Sequence, residues 1–266
     1  MRKPLSQPST LRKWLSQHGR SRSVAAKRQR PTPADPRHAP YVEPMARERQ
    51  VAGGGRAVEV APDRLEGWYA RFAVRNEGVR ETELSPDTVT VTADNGVVAV
   101  ATVPFGPLSA GGTVPGLAVG PLVEHALISR RIALLLVRRG GHSVGIARGG
   151  VVVQSRTDRH LVQGRSAAGG WSQQRFARRR EGQARSALRS AADDAFEVLV
   201  PQLSEVDAVV LGGDRRALES LREDNRLAPL FQRAEARVLD IAEPRRTVLE
   251  DAAERAVAVQ ITLTGP

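Results

Sequence analysis

The sequence predicts an α/β protein in which a small α/β module precedes a mixed β-sheet covered by helices. Three observations support this class. Alternating apolar residues flank Asn95 and Gly96, three short apolar runs are separated by Gly-Gly pairs, and strands alternate with helices after Pro201. Three antiparallel strands followed by β-α alternation form a mixed sheet, and helices must cover it because its apolar faces have to be buried.

The first 50 residues are rich in Pro, Ser, Arg and Gln and lack hydrophobic periodicity. They hold 12 Lys and Arg against 3 Asp and Glu. A segment of this composition cannot bury a core, so we expect residues 1–55 to form a disordered basic tail. The tail either binds RNA as an arm or contributes little, and we favour the second interpretation.

Ordered structure is expected from residue 56, and residues 56–120 form the small α/β module. The run RAVEV predicts a strand, and Pro62 suits the first turn of a helix. One face of that helix carries Leu65, Trp68, Tyr69 and Phe72. Asn95 and Gly96 predict a type I′ hairpin, and the Gly/Pro-rich run after it predicts a connector without regular structure.

Residues 121–266 form the second predicted domain. The runs RIALLLVRR, HSVGIAR and VVVQSR predict an antiparallel meander, and a long helix follows that ends at Pro201. Along that helix, apolar residues recur at spacings of three and four, or twice that, at Phe176, Ala184, Leu188, Ala191, Ala195 and Leu199. The remaining elements are the strand VDAVVLGG, the helix DRRALESLRE, the strand ARVLDIA, the helix PRRTVLEDAAER and the strand AVAVQITLT. This order matches the ribonuclease H-like fold, an analogy that carries no function by itself.

Metal-dependent nuclease chemistry is not expected, although nucleases use this fold. Such nucleases hold two metal ions with carboxylates on the first strand, the first helix and the fourth strand. The first strand, residues 131–139, has no Asp or Glu; the fourth has only Asp207 at its start, and the helix offers Glu181 among arginines. No spacing predicts a zinc site, and the chain has no Cys. We therefore expect neither a metal nor a cofactor.

Other polar residues receive structural interpretations. His142 lies at a predicted hairpin turn, where a lone His is usually structural, and Asp214 is expected to cap the helix that follows it. A phosphate contact by Gly212 and Gly213 is the less favoured alternative. No apolar run is long enough to span a membrane, so no membrane partner is expected.

Positive charge is concentrated in two places. The chain has a net charge of +11, and residues 156–190 alone hold 9 Arg against 2 acidic residues. Together with the tail, this segment suggests a polyanionic partner, and a nucleic acid is the class that we expect. The alternative is a solvated, arginine-rich helix face.

The second basic segment includes GRSAAGGWSQQRFARRREGQ, at residues 164–183. A glutamine cannot act as a general acid or base, but its amide can orient a water molecule and bond to a developing oxyanion. Gly169 and Gly170 allow a loop to enter a narrow space, and Ser172 is placed to cap the following helix. An ester bond held by an RNA machine would suit such an amide. The alternative is a mobile loop followed by a solvated helix.

The motif QGRSAAGGWSQQRFARRREGQ resembles the signature of the bacterial, chiefly actinobacterial, Vms-like release factors (VLRF). These are related to the central domain of eukaryotic-type class 1 peptide release factors, which carries a GGQ loop. Three more segments resemble the family, so that the likeness covers residues 56–263: VAPDRLEGWYARFAVRNEG, LLLVRRGGHSVGIARGG and LGGDRRALESLREDNRLAPL.

The resemblance implies a cytoplasmic, ribosome-associated peptidyl-tRNA hydrolase. It would release nascent chains from stalled complexes at the peptidyl transferase centre of the large subunit. The resemblance assigns catalysis to Gln173, with Gln174 as the competing residue. The implied motif loop is Gly169, Gly170, Trp171 and Ser172, and the implied contacts to ribosomal RNA or tRNA are Arg165, Arg175, Arg178, Arg179 and Arg180. Because Trp171 and Ser172 separate Gly170 from Gln173, the loop geometry departs from GGQ. The alternative function is a non-catalytic, RNA-binding ribosome factor.

Overall fold

A computed structural model describes residues 47–50, 55–138, 140–159 and 171–265 of the chain. These residues form two β-sheets with helices packed against them. The predicted basic tail lies outside the described residues, apart from residue 55 and residues 47–50. Residues 47–50 form a paired strand, so the expectation of disorder is wrong for them. Among the helices described, none is long and apolar enough to cross a membrane.

The first sheet has seven strands in the order β1-β2-β12-β5-β4-β3-β6, and every neighbouring pair is antiparallel. Its elements are β1 (Arg47–Gln50), β2 (Arg56–Val60), β3 (Val79–Leu84), β4 (Thr88–Ala93), β5 (Val98–Thr102), β6 (Gly112–Pro115) and β12 (Val259–Thr264), with helices α1 (Leu65–Arg75) and α2 (Gly120–Leu127). The predicted face of α1 is confirmed, because Leu65, Tyr69 and Phe72 are buried with the apolar side chains of the sheet.

The hairpin between β4 and β5 is confirmed, but its predicted turn type is wrong. A type I′ turn requires positive φ at both central residues. Gly96 has a φ of 87°, whereas Asn95 is not among the non-glycine residues with positive φ. The N–H of Gly96 donates to the carbonyl of Ala93, and the N–H of Ala93 donates to the carbonyl of Val97. The loop is therefore a three-residue turn that ends in a left-handed glycine.

The predicted connector contains regular structure, in contrast to the expectation. Strand β6 pairs with β3, yet all four of its residues are exposed, so it shows no apolar alternation that a sequence could reveal. Gly120 and Pro121 begin α2 rather than a turn, and Leu122 and Ala126 anchor that helix in the core. A proline in the first turn of a helix loses no hydrogen bond, which is why this pair is ambiguous in sequence.

The second sheet has five strands in the order β11-β10-β7-β8-β9. Its elements are β7 (Arg131–Arg138), β8 (Gly141–Arg148), β9 (Val151–Arg159), β10 (Ala208–Gly213) and β11 (Ala234–Leu239), with helices α3 (Trp171–Val198), α4 (Arg215–Arg222), α5 (Ala228–Gln232) and α6 (Arg246–Val257). The meander β7-β8-β9 is antiparallel, and β10 and β11 run parallel to β7. The predicted mixed sheet is thus confirmed.

Helices cover this second sheet on both faces. In β7, Ala133 and Leu135 pack with α3, α4 and α5, whereas Ile132 and Leu134 pack with α6. Burial on both faces explains why this strand is a continuous apolar run rather than an alternating one. The face that carries α3 is the one relevant to the candidate site.

The C-terminal strand differs from the expected arrangement. The run AVAVQITLT was expected to complete the second domain, but β12 pairs with β2 and β5 in the first sheet. Val259 and Ile261 are buried there against the core of α1. Their two-residue period suits either sheet, so the sequence pattern alone does not choose between them. The remaining domain boundaries stay a prediction.

An ionic cluster around Glu59 connects the two sheets. Arg255 Nε lies 2.8 Å from Glu59 Oε2, and Arg237 on β11 also donates to this carboxylate. Burial raises the pKa of Glu59, but the hydrogen bonds and charges of Arg255 and Arg237 outweigh it and leave the pKa below 4.5. Glu59 is therefore held as a carboxylate between the β2 strand and the helical layer of the second sheet.

Candidate functional site

Helix α3 carries the predicted motif at its N-terminal end. The helix comprises 28 residues and begins at Trp171, so that at 1.5 Å per residue it is about 42 Å long. Gln173 and Gln174 lie in its first turn. Ser172 was predicted to precede the helix as its cap, but it is the second helical residue. Gly169, Gly170 and Arg165 lie outside the described residues.

The N-terminal part of α3 extends beyond the packed part of the helix. From Arg178 to Ser186 the described side chains are exposed or half-buried, and Ala187 is the first side chain of α3 that is described as buried. Of the apolar positions predicted to recur, Ala191, Ala195 and Leu199 are buried, which confirms them, whereas Ala184 and Leu188 are half-buried. Gln173 precedes Ala187 by 14 positions, or about 21 Å along the helix axis. Within the described side chains, the buried contacts of α3 therefore lie toward its C-terminal end, and the motif lies at its N-terminal end.

The helical repeat places the two candidate glutamines on different faces. Gln173 precedes the buried Ala191 by 18 residues, which is about five helical turns, so its backbone position is in line with the buried face. Gln174 is rotated from that line by about 100°. The two candidates are thus distinguished by helix geometry as well as by their order in the motif.

Two of the predicted RNA-binding arginines have described side chains. Arg178 and Arg179 are exposed, and neither forms an ion pair in the described part of the chain. Their positions are rotated by more than about 100° from the line through Gln173 and Ala191. The backbones of Arg175 and Arg180 belong to the same helix. The described charge therefore lies on a different face from Gln173.

A polar cluster fixes the C-terminal half of α3 to the sheet. His142 Nε2 lies 2.9 Å from Asp194 Oδ2, and Arg156 Nη1 lies 2.8 Å from Asp194 Oδ1. Arg156 also donates to Glu197 at 2.7 Å. Because a carboxylate only accepts, His142 Nε2 must donate. Burial raises the pKa of Asp194, but the hydrogen bonds from Arg156 and His142 outweigh it and lower the pKa below 3.8.

This cluster involves residues that sequence reasoning missed. His142 was placed at a hairpin turn, whereas it is a fully buried residue of β8; its expected structural role is confirmed, because it bonds to Asp194 of the helix. Asp194 was not singled out. The signal for it was present, because an acidic residue between the core positions Ala191 and Ala195 requires a partner.

Further contacts fix the same half of α3 on both flanks. Ser190 Oγ donates to Asp158 Oδ2 of β9 at 3.2 Å. On the other side, Arg226 Nη2 lies 2.9 Å from Asp193 Oδ1, and its guanidinium lies 5.4 Å from the centroid of Phe196. These contacts hold the base of the helix while its N-terminal part remains outside the core.

The residues considered for nuclease chemistry are separate in the structure. Asp207 Oδ2 accepts a hydrogen bond from the backbone N–H of Arg131 at 2.7 Å, and Glu181 is exposed on α3. Within residues 47–50, 55–138, 140–159 and 171–265, no group of three or more His, Asp or Glu residues could hold a metal ion.

The turn between β10 and α4 has a structural role. Asp214 accepts from the N–H of Arg216 at 2.9 Å, so its predicted capping role is confirmed. Gly213 has a φ of 103°, and a Cβ there would lie 2.0 Å from the carbonyl oxygen of Val137. A Cβ at Gly212 would lie 2.7 Å from Leu136. The close packing of the turn against β7 explains both glycines.

Solved structures of translation factors show only a distant similarity to the chain. An archaeal translation termination factor, aRF1, matches at 18% identity with a TM-score of 0.36, over 62% of this chain and 48% of that one. Archaeoglobus fulgidus Pelota matches at 13% with a TM-score of 0.27, over 79% and 65%. S. cerevisiae Dom34 matches at 7% with a TM-score of 0.24, over 77% and 65%. The match spans about half the length of aRF1. No curated protein matches the chain.

A family model gives the decisive comparison. The model described as "Actinobacteria/chloroflexi VLRF1 release factor" matches residues 130–262, from the start of the β7 meander into β12. This span includes α3 with the whole motif and the polar cluster that anchors it. The chain therefore belongs to the Actinobacteria/chloroflexi VLRF1 release factor family.

Proposed function

We propose that this protein is a ribosome-associated peptidyl-tRNA hydrolase that releases nascent chains from stalled ribosomal complexes. Gln173 orients a water molecule toward the ester carbonyl that joins peptide to tRNA. The water oxygen attacks this carbonyl carbon, and the tRNA 3′ oxygen leaves and takes up a proton. The products are a deacylated tRNA, a free peptide carboxylate and one proton, the second of the attacking water, which passes to solvent.

The observation that carries this proposal is the position of Gln173 at the far end of α3. Reaching an ester inside a narrow RNA cavity requires a thin element that extends well beyond the protein body. A single helix is about 10–12 Å in diameter with its side chains. Gln173 precedes Ala187, the first side chain of α3 that is described as buried, by about 21 Å along this helix. The family membership of the chain agrees with a role in translation.

Electrostatics support an RNA environment for the same helix. Exposed Arg178 and Arg179 follow the motif by less than two turns, and neither has a carboxylate partner within the described residues. Arginines in such positions form salt-sensitive contacts to phosphates, which position a protein without reading sequence. Arg165, Arg175 and Arg180 complete this proposed RNA-binding set. The contacts would be to ribosomal RNA at the peptidyl transferase centre of the large subunit or to the tRNA acceptor end.

The remaining features are proposed along with this activity. The five-stranded sheet, with α3 on one face and α6 on the other, is taken as a ribonuclease H-like body that holds α3. Gly169, Gly170, Trp171 and Ser172 would form the motif loop and first turn. The activity would be cytoplasmic, as ribosome rescue requires, and it needs neither metal nor cofactor because an amide acts through hydrogen bonds alone.

Peptide release from purified, stalled peptidyl-tRNA–large-subunit complexes tests the proposal. We expect the wild-type protein to release peptide and Gln173→Ala to lose about 10²–10³-fold in rate, the range for removal of one oxyanion-stabilising donor. Gln174→Ala is the matched control, because it removes the same group one position away on another helix face. Ribosome binding, measured by co-sedimentation, should be unchanged in both variants. Equal release by the wild type and Gln173→Ala would refute the catalytic role of Gln173.

The alternative function is a non-catalytic, RNA-binding ribosome factor. The exposed Arg178 and Arg179 favour it equally, because their contacts require no glutamine. Replacement of Arg178, Arg179 and Arg180 by Ala should weaken ribosome binding under both hypotheses. Only the hydrolase hypothesis predicts that Gln173→Ala binds normally and fails to release, so the two variants together separate the functions.

A further inference from the structure

A cleft on the first sheet, far from the motif in sequence, collects positive charge. It lies beside α1 and the ends of β2, β5 and β12, and its volume is about 410 Å³. Its polar lining residues are Arg56, Arg71, Arg75, Asn76 and Thr264, and its aromatic ones are Trp68 and Phe72. We propose that this basic cleft is a second RNA-binding site, which holds a single-stranded RNA segment through its phosphates and one stacked base.

The charge of the cleft is opposite to that of the module that forms it. Residues 56–120 hold 5 Arg, no Lys and 8 Asp or Glu, a net charge of −3. Three of those five arginines line the basic cleft, and no carboxylate is among its described lining residues. Random placement of surface charge would mix the signs here. Concentration of the positive charge in a concave site raises the local concentration of an anionic ligand.

Arg71 and Arg75 are not used to stabilise the fold. Both are exposed, and no ion pair involves either of them in the described part of the chain. They lie four residues apart on α1, where like charges destabilise a helix. The helix dipole favours Arg75, the last residue of α1, but this benefit does not remove the repulsion from Arg71. A bound polyanion would relieve that repulsion.

Trp68 indicates RNA rather than an acidic peptide. Its ring stacks on Phe72 with centroids 5.7 Å apart and contacts Tyr69 edge-on at 4.9 Å, so its orientation is fixed. It is half-buried and lines the basic cleft. Asn76 is also held in place, because its Nδ2 donates to the carbonyl of Phe72 at 2.7 Å. A fixed aromatic ring beside arginines is the combination that binds single-stranded nucleic acid, by base stacking and phosphate contacts.

Fluorescence anisotropy of a labelled oligouridine with the full chain tests the proposal. The variant Arg71→Ala/Arg75→Ala is compared with Arg80→Ala/Arg148→Ala, which removes two exposed arginines outside the cleft. For two single-strand phosphate contacts, we expect the slope of log K against log salt to fall by about 1.4 and affinity at 0.1 M salt to fall about 25-fold. The control variant Arg80→Ala/Arg148→Ala should change both the slope and the affinity by less.

Two further variants separate charge from stacking. Arg71→Lys/Arg75→Lys keeps the charge and should therefore keep the slope of log K against log salt. Trp68→Leu should weaken binding but leave that slope unchanged. Crosslinking by ultraviolet light should map the oligouridine to the α1 segment. The proposal would be overturned if Arg71→Ala/Arg75→Ala and Arg80→Ala/Arg148→Ala lost equal affinity for oligouridine. It would also be overturned if the slope of log K against log salt were unchanged in Arg71→Ala/Arg75→Ala. Tight, Arg71-dependent binding of polyglutamate with no loss of oligouridine binding would overturn it as well. None of these measurements depends on peptide release.

Discussion

Asp194→Asn tests whether the polar cluster holds α3 in place. Asp194 accepts from the fully buried His142 at 2.9 Å and from Arg156 at 2.8 Å. An asparagine has one acceptor oxygen, so its NH₂ group would face one of these donors. Hydrogen bonds to charged groups contribute about 1.5–3 kcal/mol, and His142 would be left buried without its partner. We therefore expect a loss of about 2 kcal/mol of unfolding free energy.

Urea denaturation at neutral pH measures this loss. At a slope of about 2 kcal/mol per molar urea, the midpoint should fall by about 1 M. Asp193→Asn is the matched control, because the same change on the neighbouring residue removes only the pair with Arg226. That pair is about half exposed, with side-chain accessibilities of 45% and 48%, so its loss should cost less than about 1 kcal/mol.

The pH dependence gives an independent check on the same variant. The pKa of Asp194 is lower in the folded protein than its ordinary value of 3.8. Its ionised form therefore contributes stability above that value, and the contribution is lost as pH falls through the lower, folded-state pKa. The difference in unfolding free energy between the wild type and Asp194→Asn should persist from neutral pH to about 4 and should disappear at lower pH. The reasoning would be refuted if Asp193→Asn lost as much unfolding free energy as Asp194→Asn, or if the loss in Asp194→Asn persisted in strong acid.

Two more predictions follow from individual side chains. Gly213→Ala should lower the free energy of unfolding by more than about 3 kcal/mol, because the new Cβ would lie 2.0 Å from the carbonyl oxygen of Val137 at a φ of 103°. Thermal unfolding measures this loss. The control is Gly182→Ala, where the new Cβ meets no atom within 4 Å. Tyr69→Phe should be neutral or stabilising, because the buried hydroxyl of Tyr69 has no hydrogen-bond partner among the residues that the structure describes. A loss of more than about 1 kcal/mol in Tyr69→Phe would reveal a partner for that hydroxyl.

Elements with a strong local pattern could be predicted from the sequence. The run RIALLLVRR became β7, and the repeat of small apolar residues through Ala191 and Ala195 marked the buried face of α3. Asp214 was recognisable as a cap, because it directly precedes a helical pattern. In each case the signal lies within one segment, where period, turn chemistry and capping are determined by neighbouring residues.

Features that depend on distant contacts could not be predicted in the same way. The pattern of β12 fits either sheet, and the structure shows that β2 and β5 provide its partners. The turn at Gly96 differs from the expected type because residue type alone permits both. At the site, the sequence indicated Gln173 but not Asp194, whose partners His142 and Arg156 are 52 and 38 residues away.

The distance between Gln173 and the core makes the anchoring cluster relevant to the proposed peptidyl-tRNA hydrolysis. At about 21 Å from the first buried residue, a tilt of about 5° at the base of α3 moves the motif by about 2 Å. Misplacement of a catalytic group by about 1 Å can cost about 10²-fold in rate. Asp194→Asn should therefore slow peptide release at least about tenfold while ribosome binding persists, although Asp194 never approaches the ester. Asp193→Asn should release peptide at nearly the wild-type rate. Equal release by all three proteins would show that the ribosome, rather than the protein body, positions the end of the helix.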